Sequence, residues 1–250
     1  MNFQKLTNNP QMPRQLIFKQ IHYDTKLLTG SETISFFNDS DLNEESVTSM
    51  TEDQAVKWLF QNPDFLLMFL PDFFENPNRV KSFFGLTEPF TQKNKKPGDI
   101  DLLLVDIENP DKAIAFECKR VKSVSLENQK AKVNNTEKIK HGVLQVNKYQ
   151  KLGFHKTYLM IILLDDGRNY KTPNSLFRST NIDELKQLYD LPFNEPLNKD
   201  IGVIFIILNQ PTGNDINLTG AIAFCLDKPA ERLDQKKSLT SKVESLIMQN

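Results

Sequence analysis

The sequence predicts an α/β fold, a central mixed β-sheet flanked by helices, in one domain. Three observations carry this expectation. Two apolar runs, Ile100 to Val105 and Ala113 to Val121, flank the turn signal Asn109-Pro110-Asp111 and read as a strand pair. A helix-like run from Ile139 to Leu152 follows, closed by Gly153. Thr157 to Leu164, TYLMIILL, is then almost wholly apolar, as in a strand buried on both faces of a β-α-β unit.

The other elements are justified in chain order. A polar start leads into Gln15 to Ile21, a strand or short amphipathic segment. From Asp39 to Asp53 there are six acids and no base, read as a solvated loop running into a helix N-terminus, where acids complement the macrodipole. Thr51-x-x-Gln54 fits a capping box that opens a helix with Ala55, Val56, Leu59 and Phe60 on its apolar face. Asn62-Pro63 begins a second helix, Asp64 to Leu70, which Pro71 stops. Val80 to Phe90 offers the sheet its first strand, and Gln92 to Lys96 follows as a basic loop. Beyond Leu164, Asp165-Asp166-Gly167 turns the chain, and a helix runs from Ile182 to Tyr189, capped by Thr180 or Asn181. Strands at Ile201 to Leu208 and Ala221 to Leu226 precede a final amphipathic helix, about 230–248, that covers the sheet or packs on a partner. The helical N-terminal part then spans about 45–75 and the core about 80–226.

Composition narrows the functional classes. A net charge of −1 excludes a chain that binds nucleic acid by overall charge, so any basic surface is local. Cys118 and Cys225 sit in apolar runs as small hydrophobes rather than as a disulfide framework, and His22, His141 and His155 have no metal-ligand spacing. No signal-like segment and no apolar run of membrane-spanning length is visible, so the expectation is a soluble, cytoplasmic protein without membrane contact.

The strand pair carries acids where apolar residues belong. By the period of two, Asp99 and Asp101 share a face with Leu103 and Val105, and Glu117 and Lys119 share one with Ala113 and Ala115. Pairing as a hairpin brings Asp101 near Glu117. Like-charged carboxylates in a partly buried place need a cation, and hard oxygen ligands suit Mg²⁺, with Mn²⁺ as a substitute. Lys119 beside it can orient or deprotonate a water, or stabilise charge developing on a phosphate. A plain ion pair of Glu117 with Lys119 on a solvated face, and acids that simply begin a strand, stay open at this point.

Asp101 followed by Glu117-Cys118-Lys119 on the next strand resembles the D…(D/E)xK signature of the PD-(D/E)xK nuclease superfamily, the restriction-endonuclease-like fold. The spelling Gly98-Asp99-Ile100-Asp101 is similar to its G-x-x-D, and that register implies Asp101 as the metal ligand. No Pro adjoins the Asp. The resemblance also implies a metal contact from the Cys118 backbone carbonyl and, in many members, an acid from a preceding helix; Glu52 is nearest by position and reads equally as a plain acid of the helix N-terminus. Gln145 and Tyr149, spaced i, i+4 on the following helix, are similar to the QxxxY element of exonuclease-like branches, where it positions the DNA backbone and the site.

The segment from Lys119 to Lys151 holds eight Lys and one Arg against Glu127 and Glu137, a charge of +7, so the rest of the chain totals −8. Arg120, Lys122, Lys130, Lys132, Lys138, Lys140 and Lys148 are its candidate phosphate contacts, with Ser123 to Asn135 as a mobile flap or DNA-contacting loop. The expected activity is metal-dependent hydrolysis of phosphodiester bonds, in DNA by family resemblance, as part of a restriction, anti-phage or DNA-processing system. With no helicase motif, phosphate-binding loop or sequence-reading module visible, a separately encoded helicase or ATPase is the expected partner. The alternative is a catalytically silent nucleic-acid-binding or assembly subunit of the same fold.

Overall fold

A computed structural model describes residues 17–24, 50–91, 98–124, 132–166, 182–210 and 219–249. Within these, eight strands form one mixed sheet with helices on both faces. The strands are β1 (Ile17–Asp24), β2 (Val80–Leu86), β3 (Ile100–Asp106), β4 (Ile114–Val124), β5 (Lys132–Asn134), β6 (Lys156–Asp166), β7 (Gly202–Gln210) and β8 (Thr219–Lys228). The helices are α1 (Glu52–Gln61), α2 (Pro63–Phe69), α3 (Glu137–Leu152), α4 (Ile182–Asn194) and α5 (Lys237–Gln249). The sheet runs β1-β8-β7-β6-β4-β3-β2, and β5 pairs with the far end of β4. The pairs β4–β6 and β6–β7 are parallel and the others antiparallel. Parallel strands must be covered on both faces, which is why β6 and β7 read as continuous apolar runs.

Helices α1 and α2 cover one face. The expected capping box is present: Gln54 N–H donates to Thr51 Oγ1 at 3.2 Å, and Thr51 N–H donates to Gln54 Oε1 at 2.8 Å. Asn62 Oδ1 accepts from Phe65 N–H at 3.1 Å and starts α2. Pro71 does not end the helical path outright, because Leu70 to Asp72 continue as one 3-10 turn. The chain's many phenylalanines meet here. Phe69 is fully buried, with its ring 5.1 Å from Phe60, 5.3 Å from Phe65, 4.5 Å from Phe73 and 5.2 Å from Phe224. These rings fasten α1 and α2 to β4 and β8.

Helices α3, α4 and α5 cover the other face. Ile139, Val143 and Val146 of α3 pack with Leu188 of α4 over Val121, Leu159 and Phe205. Tyr149 of α3 and Leu239, Val243 and Leu246 of α5 cover Leu103, Val105 and Ala115. Among the described residues no helix is long and apolar enough to cross a membrane.

Several boundaries differ from the sequence expectation. The first core strand ends at Leu86 instead of Phe90, because the N–H groups of Phe90 and Thr91 turn back onto the Thr87 carbonyl. The segment expected as a flap is partly sheet: Ser123 and Val124 finish β4, and β5 pairs back onto them, with 125–131 outside the described residues. The helix expected from about 230 begins at Lys237. The N–H groups of Glu231, Leu233 and Lys236 are instead bonded to the carbonyls of Asp200, His155 and Gly153, which holds that stretch extended. The acidic stretch 39–49 and the basic loop 92–96 also lie outside the described residues.

Replacing Phe69 with Ala should cost about 3–5 kcal/mol, because little around the ring can collapse into the space. A denaturant midpoint shifted by less than about 1 kcal/mol would show that α1 and α2 are not held by this aromatic cluster.

Candidate active site

The site forms where β4 loses its neighbour. Strand β3 pairs with β4 over Leu102 to Leu104 opposite Ile114 to Phe116, and β5 pairs only from Lys122 onward. Residues 117–121 of β4 therefore have no strand partner on that side among the described residues, although β6 pairs with them on the other. Backbone groups exposed in such a gap must find other partners. Asp101 Oδ2 accepts from Cys118 N–H at 2.6 Å, and Glu52 Oε2 accepts from Arg120 N–H at 2.8 Å. The Cys118 carbonyl accepts from Lys119 Nζ at 2.7 Å.

Side-chain alternation then sets what enters the gap. Glu117 and Lys119 point to the α3 face, and Lys119 Nζ lies 2.5 Å from Glu117 Oε1, 3.2 Å from Glu52 Oε1 and 3.9 Å from Asp101 Oδ2. Three carboxylates thus surround one ammonium, and all three arrive from different elements: α1, β3 and β4. Glu52, the first residue of α1, was singled out by position alone and is brought into the site. Among the described residues no three His, Cys, Asp or Glu side chains are gathered closely enough to hold an ion by themselves.

Glu117 is 0% exposed, and neither of its oxygens has a hydrogen bond of good geometry; the close Lys119 contact is an ion pair. Burial pushes its pKa up to about 7, against the opposing pull of Lys119. Burial and the neighbouring Glu117 also raise Asp101 well above the usual carboxylate range. Burial alone would lower the Lys119 pKa, but Glu117, Asp101 and Glu52 outweigh it and the net shift is upward. With these neighbours holding it cationic, Lys119 is suited here to charge stabilisation and orientation.

Helix α3 fixes the approach to Asp101. The Tyr149 hydroxyl, on a fully buried ring, donates to the Asp99 carbonyl, and that single proton is then not available to Glu117. Gly98 lies in the left-handed region at φ 102°, and a Cβ there would be 3.3 Å from Gln145 Nε2. Tyr149 therefore bonds a residue that leads into β3, and Gln145 lies beside the bare backbone of Gly98. Gly142 of the same helix was missed in the sequence. A Cβ on it would stand 2.6 Å from Lys119 Cγ, and the legible signal was a glycine inside a helical run.

The basic residues are not all on one face of the sheet. Arg120 and Lys122 alternate with Lys119 along β4 and so point to the opposite face of the sheet. The Arg120 guanidinium donates to the Met50 carbonyl. Lys122 is half-buried, and burial, Arg120 and Lys138 together lower its pKa. Lys138 and Lys148 are half-buried on the side of α3 that carries Gln145. Lys140 turns away toward Glu195 at 3.7 Å and Glu137 at 4.0 Å. Lys130 lies outside the described residues, as does the side chain of Lys132.

No family model matches the chain, and no curated protein matches it. Among solved structures it is similar to SfsA of Pyrococcus furiosus, determined in complex with Ca²⁺, with a TM-score of 0.29 and 9% identity. The match covers 71% of this chain and 65% of that one, so the chain spans less than two thirds of its length. A likeness of that degree carries no argument about family or activity.

Between about pH 4.5 and about pH 7 the folded protein keeps a proton on Glu117 that the unfolded chain has released, so stability declines as pH rises through this window. Lys119 is protonated in both states there and adds no slope. In EDTA, the melting temperature of wild type should fall across the window more steeply than that of Glu117→Gln. Parallel curves for the two proteins would show that Glu117 does not titrate in this range.

Proposed function

We propose that this protein is a metal-dependent nuclease of the PD-(D/E)xK type that hydrolyses phosphodiester bonds in DNA. The observation that carries the reading is the convergence of Asp101, Glu117 and Lys119, with the Cys118 carbonyl, where β4 lacks a strand partner on one side. The residues present fit a divalent cation. Glu117 is a buried carboxylate without a donor of good geometry, and the available ligands are all hard oxygens, which suit Mg²⁺ or Mn²⁺.

Asp101, Glu117 and the Cys118 carbonyl would hold the cation. When bound, it supplies Lewis acidity toward a phosphoryl oxygen and lowers the pKa of a water. Lys119, kept cationic by its acidic neighbours, offsets charge that develops on the phosphate. Tyr149 holds the Asp99 carbonyl, with Gln145 beside the bare backbone of Gly98, and so keeps Asp101 in register. Lys138 and Lys148 on α3 present charge to a backbone passing over the site, with Arg120 and Lys122 reached from the other face of β4. Target choice falls to a separately encoded helicase or ATPase in this reading, so rapid digestion of plain DNA by the chain alone would count against that partner.

Purified protein should cut DNA in Mg²⁺ or Mn²⁺ and not in EDTA. Glu117→Gln and Lys119→Ala should each lower the rate by roughly a hundredfold or more. Comparing linear, circular and single-stranded DNA with RNA separates end-directed from internal cutting and identifies the nucleic acid. Binding without cutting, unchanged in both variants, would instead favour the catalytically silent subunit.

A further inference from the structure

Lys119 Nζ is enclosed by oxygens from four residues. Glu117 Oε1 stands at 2.5 Å, the Cys118 carbonyl at 2.7 Å, Glu52 Oε1 at 3.2 Å and Asp101 Oδ2 at 3.9 Å. Three of these oxygens belong to the set that the proposed function assigns to a cation. The ammonium reaches them by folding back over the carbonyl of its own preceding residue instead of extending to solvent. Its stem is pressed against α3 at Gly142, where a Cβ would be 2.6 Å from Lys119 Cγ and 3.3 Å from Lys119 Cε. The room a methyl would need at Gly142 is taken by the lysine stem and, at 3.0 Å, by Leu159 Cδ1.

We infer that Lys119 is the resident counter-ion of this site, seated there by the bare backbone of Gly142, and that it competes with a divalent cation for the same oxygens. The inference rests on the cation-binding reading above. An ammonium and a divalent ion held against the same oxygens repel strongly in a buried place, so each disfavours the other. The carboxylates, which repel one another, are neutralised by one cation or the other. Loading of the site is thereby coupled to release of the lysine: the group that serves the phosphate leaves the oxygen cage only when the cage is otherwise filled. Removing the lysine charge should therefore strengthen cation binding while weakening cleavage. A purely structural ion pair has the opposite consequence, because losing it would loosen the carboxylates and weaken binding.

The test is calorimetric titration of the intact chain with Mg²⁺ and with Ca²⁺, without nucleic acid, at about pH 8.5 so that proton competition at the carboxylates is small. Lys119→Met keeps much of the stem packing and removes the charge. It should bind the cation about tenfold more tightly or better. Gly142→Ala, whose methyl displaces the stem, should shift affinity in the same direction, with circular dichroism verifying that both variants are folded. Equal or weaker binding by folded Lys119→Met would overturn the competition while leaving the cation site standing. Unchanged affinity in folded Gly142→Ala would remove Gly142 from the device. No binding by wild type or either variant would overturn this inference and the metal-dependent reading together.

Discussion

The unpaired edge of β4 is the constraint on which the site depends. A strand cannot leave its N–H and C=O groups unsatisfied inside a protein, and over residues 117–121 neither β3 nor β5 supplies partners. Carboxylates do so instead, Asp101 for Cys118 and Glu52 for Arg120. Backbone satisfaction and chemistry are thus one arrangement. The acids that complete the hydrogen bonding of β4 are the acids that concentrate negative charge around Lys119.

The rest of the fold serves that gap from both sides. The phenylalanine cluster fixes α1, and so places Glu52 at the sheet. Helix α3 closes the opposite face, with Tyr149 and Gln145 on the chain leading to Asp101 and Gly142 over the lysine stem. The parallel strands beneath, β6 and β7, are buried on both faces and give a rigid floor. Function-bearing groups supported in this way can hold an unfavourable charge arrangement because the packing around them is already determined.

Much of this was legible in the sequence because it depends on short periods. Alternation placed Glu117 and Lys119 on one face and hairpin pairing set Asp101 near Glu117, the capping box started α1 at Glu52, and the apolar run of β6 announced the β-α-β unit. What was not legible depends on distant contacts. That Glu52 enters the site follows from where α1 packs, not from its cap. The room at Gly142 exists only once α3 lies over β4. The extended path of 230–236 is set by carbonyls of Asp200, His155 and Gly153, while its own composition favours a helix. The basic stretch divides for a local reason: Arg120 and Lys122 belong to strand β4, so by alternation they point away from Lys119.

The most direct test is an anomalous-diffraction map of crystals grown with Mn²⁺. The expected result is a peak bounded by Asp101, Glu117 and the Cys118 carbonyl, with the Lys119 ammonium withdrawn from that carbonyl. Mn²⁺ found only elsewhere, with Lys119 still seated among the three carboxylates at millimolar metal, would contradict the cation site and the hydrolytic function built on it.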